Sequence, residues 1–292
     1  MFRRHSYCPT ISMTLPSHEA LAIEGHLLKS LSDQGHEMEP SQVERGRKTS
    51  VVAQKKSNTQ LYRYCQIFLA EFLATTFLMV MVCFGCLTLN ADKPIEPLQS
   101  SFASGFAVAT LVQSFGHISD CHMNPAVTAL FLSLGKIDVL TSMIYVFAEV
   151  TGATAGYGIL WALVPRNIQD INPGHCETVV HSSINSMSGA VIELIITSLL
   201  MFMICACLDQ RNTHKQDSVP IKFGLTIATI SLCAGTLTGA SMNPARSFGP
   251  AIWHNQWSDH WIYWIAPITA GFIIPKVYYF FFQKDLTIKS LN

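Results

Sequence analysis

Two tripeptides, Asn124-Pro125-Ala126 and Asn243-Pro244-Ala245, repeat one chemical statement at two points of a 292-residue chain. Asn directly before Pro marks a helix start, because the Asn side chain can cap the first turn while Pro takes the first helical position, where its missing N–H is not needed. Such a start turns unpaired N–H groups and the positive end of a helix dipole outward, which suits an oxygen acceptor and repels a cation. Arg246 follows Asn243 by three residues, about one turn, and adds five more donors. Glu71 and Glu193 lie inside apolar runs, each about fifty residues ahead of its Asn-Pro-Ala, and a carboxylate in such a setting is functional or tightly bonded. The nine cysteines show neither metal-ligand nor disulfide-framework spacing; Cys65, Cys83, Cys86, Cys205, Cys207 and Cys233 sit in apolar runs and are expected to pack as small hydrophobes. No nucleophile–base pair and no phosphate loop accompanies these residues, so an enzyme, a cofactor and a resident metal are not expected.

The elements that must hold these groups belong in a membrane. Of the chain, 49% is hydrophobic and 13% charged, too few charges for an ordinary soluble surface. Net charge is zero, so no basic field points to nucleic acid. Residues 1–62 are polar, without helical apolar period, and read as a disordered tail bearing Arg45, Arg47, Lys48, Lys55 and Lys56. They contain no apolar core of signal-peptide type, so the first span is expected to serve as its own insertion signal. Apolar stretches near 65–89, 101–119, 138–164, 187–208, 220–238 and 260–282 can each cross a bilayer core of about 30 Å as a helix. The apolar segments 124–133 and 243–254 have half that length, and half helices survive at membrane depth only when protein buries them or a watery cavity receives them. Phe68 to Leu87 resembles Ala190 to Leu208, so three spans and a half helix occur twice. An odd number of spans per copy makes the copies an inverted repeat, and the two half helices must enter from opposite faces and meet near the midplane. Lys136, Arg211, Lys215, Lys222, Lys284, Lys289 and the tail cluster fall on one side, against Lys93 and Arg166 on the other, which puts both termini in the cytoplasm. Asn172-Pro173-Gly174, in the outer loop 165–186, reads as a turn.

Gly116-His117-Ile118 leading to His122-Met123-Asn124-Pro125-Ala126-Val127-Thr128, and Gly239-Ala240-Ser241-Met242-Asn243-Pro244-Ala245-Arg246-Ser247-Phe248-Gly249-Pro250-Ala251, resemble the major intrinsic protein family, the aquaporins and glycerol facilitators. The resemblance covers residues 63–284, with repeats at about 63–164 and 187–284, and leaves both tails, 1–62 and 285–292, aside. It implies an all-α membrane fold of six transmembrane helices and two re-entrant half helices, assembled as a homotetramer in lipid, with residence in the plasma membrane part of the same expectation. It further implies that Asn124 and Asn243 point amide donors into a lumen and that Arg246 stands in an outer selectivity filter. The family's other filter positions fall, counted without gaps, on Ser104, Ser231 and Ala240. Water-selective members resemble one another in having an aromatic ring at the first and a His at the second of these, and here both are Ser. Two hydroxymethyl groups leave more room than a ring and an imidazole, so glycerol and urea are expected to pass with water. A slipped register would instead aim Phe102 or Phe106 at the lumen.

Other positions look like a water channel: Ser247 stands where glycerol facilitators have Asp, and Tyr263-Trp264 where they have Pro-Leu. A water-channel scaffold with Ser for the fifth-span His resembles the insect entomoglyceroporins. The family implies that Glu71 and Glu193 accept hydrogen bonds from backbone amides of the loops ahead of the half helices. Glu149 departs from an expected Gln and Asp120 from an expected Gly. His117 is either a proton-sensing gate or a packed residue. Cys121, the counterpart of Ala240, is expected to approach the lumen and bind mercurials. Gly152, Gly156, Ala266, Ala270 and Gly271 should let helices pack closely. A water-selective channel, and a weakly conducting junctional or signalling protein that works through its tail, remain as alternatives.

Overall fold

A computed structural model describes the backbone of residues 40–92 and 96–283, and the side chains from residue 58 onward. Residues 1–60 and 61–292 separate into two units, and everything below concerns the second unless stated. Helix α1 is Pro40–Gly85, of which Asn58–Gly85 has the composition of a membrane span. It starts inside the segment expected to lack order. Pro40 is a good first helical residue, and extending a helix that already exists costs only one residue per hydrogen bond gained, whereas starting one is expensive. The rest of that expectation, over residues 1–39, lies outside the described residues, as do residues 284–292.

The chain continues through α2 (Pro97–Ser119), the half helix α3 (Pro125–Ser133), α4 (Val139–Leu163), the short α5 (Arg166–Asp170), α6 (Ser186–Leu208), a 3-10 turn over Gln210–Ser218, α7 (Val219–Thr238), the half helix α8 (Pro244–His254) and α9 (Ile262–Phe282). All described elements are helical. The six spans and two half helices stand where hydropathy and the Asn-Pro starts put them. Five spans are apolar enough to cross a membrane by composition alone. The sixth, α2, has the length, 23 residues, but carries Ser100, Ser101 and Ser104 on a face that lines the central cavity, and those hydroxyls lower its hydropathy. Leu69, Phe77, Phe147, Ile195, Leu225 and Ile265 are exposed on the outside. An exterior of large apolar side chains around a polar interior is what a bilayer solvent selects.

Each half helix is gripped by the other repeat. The α3 half helix packs on α9, and α8 packs on α4. Small residues make both approaches possible: a Cβ on Gly249 would press on the Ala153 carbonyl, and one on Gly271 on the Ala126 carbonyl. Gly152 lies against Phe72 and Thr75 of α1, close enough that the Thr76 hydroxyl, 2.7 Å from the Phe72 carbonyl, is also 3.1 Å from the Gly152 carbonyl. Helices α2 and α7 meet through Gly105 and Gly224, each facing the other's backbone carbonyl. This contact fixes the rotation of α2, so that Ser104 faces inward while Phe102 and Phe106 stack on each other, exposed on the outer face, with centroids 5.5 Å apart.

Candidate pore

The two half helices meet head to head. Asn124 caps α3 by accepting from the Ala126 N–H at 2.9 Å, and Asn243 caps α8 by accepting from Ala245 at 3.0 Å and Arg246 at 3.2 Å. Each side-chain amide also crosses to the other repeat: Asn124 Nδ2 donates to the Met242 carbonyl at 2.9 Å, and Asn243 Nδ2 to the Met123 carbonyl at 2.7 Å. A carboxamide nitrogen carries two protons, so each retains one for the cavity that both residues line.

The loops before the half helices fold the same way in both repeats. Asp120 (φ 63°), Cys121 (φ 51°) and Met123 (φ 51°) correspond to Gly239 (φ 79°), Ala240 (φ 42°) and Met242 (φ 53°). Left-handed backbone in side chains other than Gly costs on the order of 1 kcal/mol per residue and persists only where the surroundings overdetermine it. The buried carboxylates supply that determination. Glu71 accepts from the Ser119 hydroxyl at 2.5 Å and from the amides of His122 at 3.0 Å and Met123 at 2.7 Å. Glu193 accepts from the Thr238 hydroxyl at 2.6 Å and from the amides of Ser241 at 2.9 Å and Met242 at 2.8 Å. Asp120, unexpected beside the Gly of the second copy, takes the left-handed cap of α2 and donates its N–H to Gly116. Asp tolerates this backbone better than most side chains.

One cavity of about 410 Å³ runs through the centre. Ser104, Ser231, Ala240 and Arg246 line it, together with Asn124, Asn243 and Cys121. The Ser104 hydroxyl donates to the Ser100 carbonyl at 2.9 Å, which leaves its oxygen lone pairs available inward. Arg246 Nη1 donates to the Cys176 carbonyl at 2.6 Å, so the guanidinium is anchored on one side and open on the other. Cys121 is 5% exposed, its thiol directed to the Leu111 carbonyl. His117 is exposed on α2 and does not line the cavity. Ser247 is buried behind the wall, bonded to the hydroxyls of Ser241 and Thr178, the latter at 2.7 Å. Glu149 is fully buried and accepts from Thr128 at 2.8 Å. The Thr128 hydroxyl, its single proton so used, accepts in turn from His122 Nδ1 at 3.0 Å.

Two features escaped the sequence reading. Tyr145 donates to the Ser119 carbonyl at 2.6 Å and Tyr263 to the Thr238 carbonyl at 2.9 Å, so each ties off the end of the pore-lining span of its repeat. Their similar distance past Asn124 and Asn243 was the available signal. The second is a correction: Cys83 is not a free packed thiol but is joined to Cys176 by a disulfide, across a separation of 93 residues. Of the other cysteines in apolar runs, only Cys205 is fully buried; Cys65 and Cys233 are exposed. The expected turn at 172–174 is present, with Gly174 at φ 65°. Asn172 pins it by exchanging two hydrogen bonds with the Thr88 backbone, at 3.0 and 2.9 Å.

Comparison with known proteins agrees with this geometry. The sequence model of the family described as MIP, major intrinsic protein, matches residues 58–279. Mouse (Mus musculus) aquaporin-4 is 37% identical over 223 residues, 75% of this chain and 68% of the mouse protein. Lens fiber major intrinsic protein of the same species is 36% identical over 202 residues, 69% of this chain and 75% of that protein. The X-ray structure of the aquaglyceroporin from Plasmodium falciparum superposes with a TM-score of 0.67 at 23% identity, covering 76% of this chain and 98% of that one, which speaks for the fold.

Proposed function

The chain belongs to the major intrinsic protein family of membrane channels, and we propose that it passes glycerol and urea together with water, passively and in both directions. The observation that carries the solute reading is the pair Ser104 and Ser231 on the wall of the cavity that Arg246 also lines, with no aromatic ring or imidazole among these positions. A solute hydroxyl or carbonyl accepts from Arg246 and the free Asn amide protons, and its own protons find the serine oxygens, so hydration is replaced as the molecule moves. The facing positive ends of α3 and α8, with the Arg246 charge, oppose cations. The likeness to entomoglyceroporins rests on the same Ser231. Proteoliposomes in a glycerol or urea gradient should shrink and then reswell faster than empty vesicles. Reswelling at the empty-vesicle rate beside fast water exit would instead support a water-selective channel, the reading favoured by the aquaporin-4 similarity, Ser247 and Tyr263.

Both termini are assigned to the cytoplasm. Besides the Lys and Arg distribution, the Cys83–Cys176 disulfide supports this, because it fixes the 165–186 loop to the end of α1 and disulfides persist in oxidising exteriors. A homotetramer in the plasma membrane, one pore per subunit, is carried over from the family. The tail, residues 1–62, is not needed for conduction in this reading. A chain lacking residues 1–60 should retain its water and solute permeability, and a loss of permeability would favour the junctional or signalling alternative.

Cys121 is the proposed mercurial site, since it lines the cavity three residues before Asn124. Mercury should block transport in the wild type, and Cys121→Ser should abolish at least most of the block. Undiminished block in that variant would contradict the assignment and direct attention to Cys86, which lines the same cavity.

A further inference from the structure

The guanidinium of Arg246 rests on a single residue of the outer loop. Nη1 donates to the Cys176 carbonyl at 2.6 Å and Nη2 lies 3.7 Å from the Cys176 sulfur. Cys176 holds φ 64°, a left-handed backbone that a side chain with a Cβ adopts at a cost and that needs outside support. Support comes from both directions. The Cys176 side chain is covalently tied to Cys83 at the end of α1, with the two Cα atoms 5.3 Å apart. On one side, His175 Nε2 lies 3.0 Å from the Cys83 carbonyl, and the Tyr157 hydroxyl lies 3.0 Å from the His175 carbonyl and 2.6 Å from His254 Nε2. Burial, with His254 and Arg246 nearby, pushes His175 down to about 4, so it is neutral near pH 7 and its Nε2 carries the donated proton. On the other side, Glu177 pairs with His254 at 3.0 Å and Thr178 donates to Ser247. Apart from the buried Thr178–Ser247 bond, these polar contacts are part-buried and can exchange with water, whereas the disulfide cannot.

We propose that the Cys83–Cys176 disulfide is a positioning element of the selectivity filter, holding the Cys176 carbonyl where it fixes the Arg246 guanidinium on the cavity that Ser104 and Ser231 also line. With the bond absent, the left-handed turn at Cys176 relaxes, the carbonyl leaves Arg246, and the guanidinium samples a wider set of positions. The constriction then discriminates less between water and larger solutes. Losing one anchoring hydrogen bond corresponds to roughly a three- to tenfold change in relative permeation. The inference rests on the filter reading given above.

The test uses the full chain, purified and reconstituted, as wild type, Cys83→Ser, Cys176→Ser and the double variant, with Cys233→Ala as a control outside the site. The urea-to-water and glycerol-to-water permeability ratios should rise about three- to tenfold in each single variant and no further in the double variant, because the two sulfurs act as one bond. Cys233→Ala should leave the ratios unchanged. A disulfide with a purely stabilising role would lower the thermal midpoint and leave the ratios alone, and unchanged or lower ratios in variants that elute as intact protein overturn the inference. Should the serine variants not fold, the bond in folded wild type is opened with dithiothreitol before reconstitution. Two reagent thiols become one cyclic disulfide while Cys83 and Cys176 each gain a proton, a change verified by two additional alkylated cysteines and read by the same ratios. Ser231→His is measured alongside. A shift there with none in the cysteine variants overturns this inference alone, whereas no shift in Ser231→His overturns the filter reading as well.

Discussion

Ser231→His is expected to lower glycerol and urea flux about tenfold while water flux persists. Ser231 lines, from α7, the same cavity as Arg246 and Ser104. An imidazole there would extend from the α7 wall into the space that a three-carbon solute must occupy. Forcing extra volume past a packed wall costs about 1–3 kcal/mol, and each 1.4 kcal/mol on a barrier is about a tenfold change in rate. A single water can still exchange hydrogen bonds with an imidazole, Arg246 and the free asparagine protons in turn. Stopped-flow light scattering on the same vesicle preparation gives both rates. Solute flux equal to wild type in Ser231→His would mean that α7 does not set the width of the passage.

Replacing either buried carboxylate should have the largest effect on the fold of the pore. Glu193→Leu leaves the Thr238 hydroxyl and the amides of Ser241 and Met242 without their acceptor. At about 1–3 kcal/mol for each orphaned donor, the sum is a large part of the roughly 5–15 kcal/mol that holds a domain together. Channel activity should be lost and the thermal midpoint should fall steeply. Glu193→Gln should be milder: its one oxygen can keep Thr238 and Ser241, while its NH₂ faces the Met242 N–H and repels it. Glu71→Leu and Glu71→Gln should follow the same order through Ser119, His122 and Met123. Equal water flux in the Leu and Gln variants would show that the hydrogen bonds do not shape the loops.

The residues that announce themselves in the sequence are those whose chemistry is locally wrong for a membrane. A Glu in an apolar run, an Asn-Pro in a segment too short to span, and an Arg one turn further on are each costly unless a specific partner exists, so their types and spacing give the half helices and the inverted repeat, while the resemblance to the family supplies the lining positions Ser104, Ser231 and Ala240. The register of α2, open in the sequence, is set in the structure by Gly105 facing Gly224, which turns Ser104 inward. What stays hidden is pairing across long separations. Nothing in the local pattern around Cys83 distinguishes a thiol packed against apolar neighbours from half of a disulfide whose partner lies 93 residues on, and nine cysteines allow many pairings. The bonds of Tyr145 and Tyr263 are hidden for the same reason, because their hydroxyl acceptors, the carbonyls of Ser119 and Thr238, belong to other helices. The grip of each half helix by the opposite repeat is likewise a property of the assembled fold, seen only as small residues at Gly249 and Gly271.

In the function proposed, the lumen receives two opposed helix starts, accepts neutral hydroxyl and amide compounds, and refuses charge. Uptake of labelled glycerol by proteoliposomes, recorded with membrane conductance in bilayers made from the same protein, tests it most directly. Glycerol should enter well above the empty-vesicle rate while conductance stays at the protein-free level; glycerol entry at the empty-vesicle rate, or a cation current that scales with protein, would contradict it.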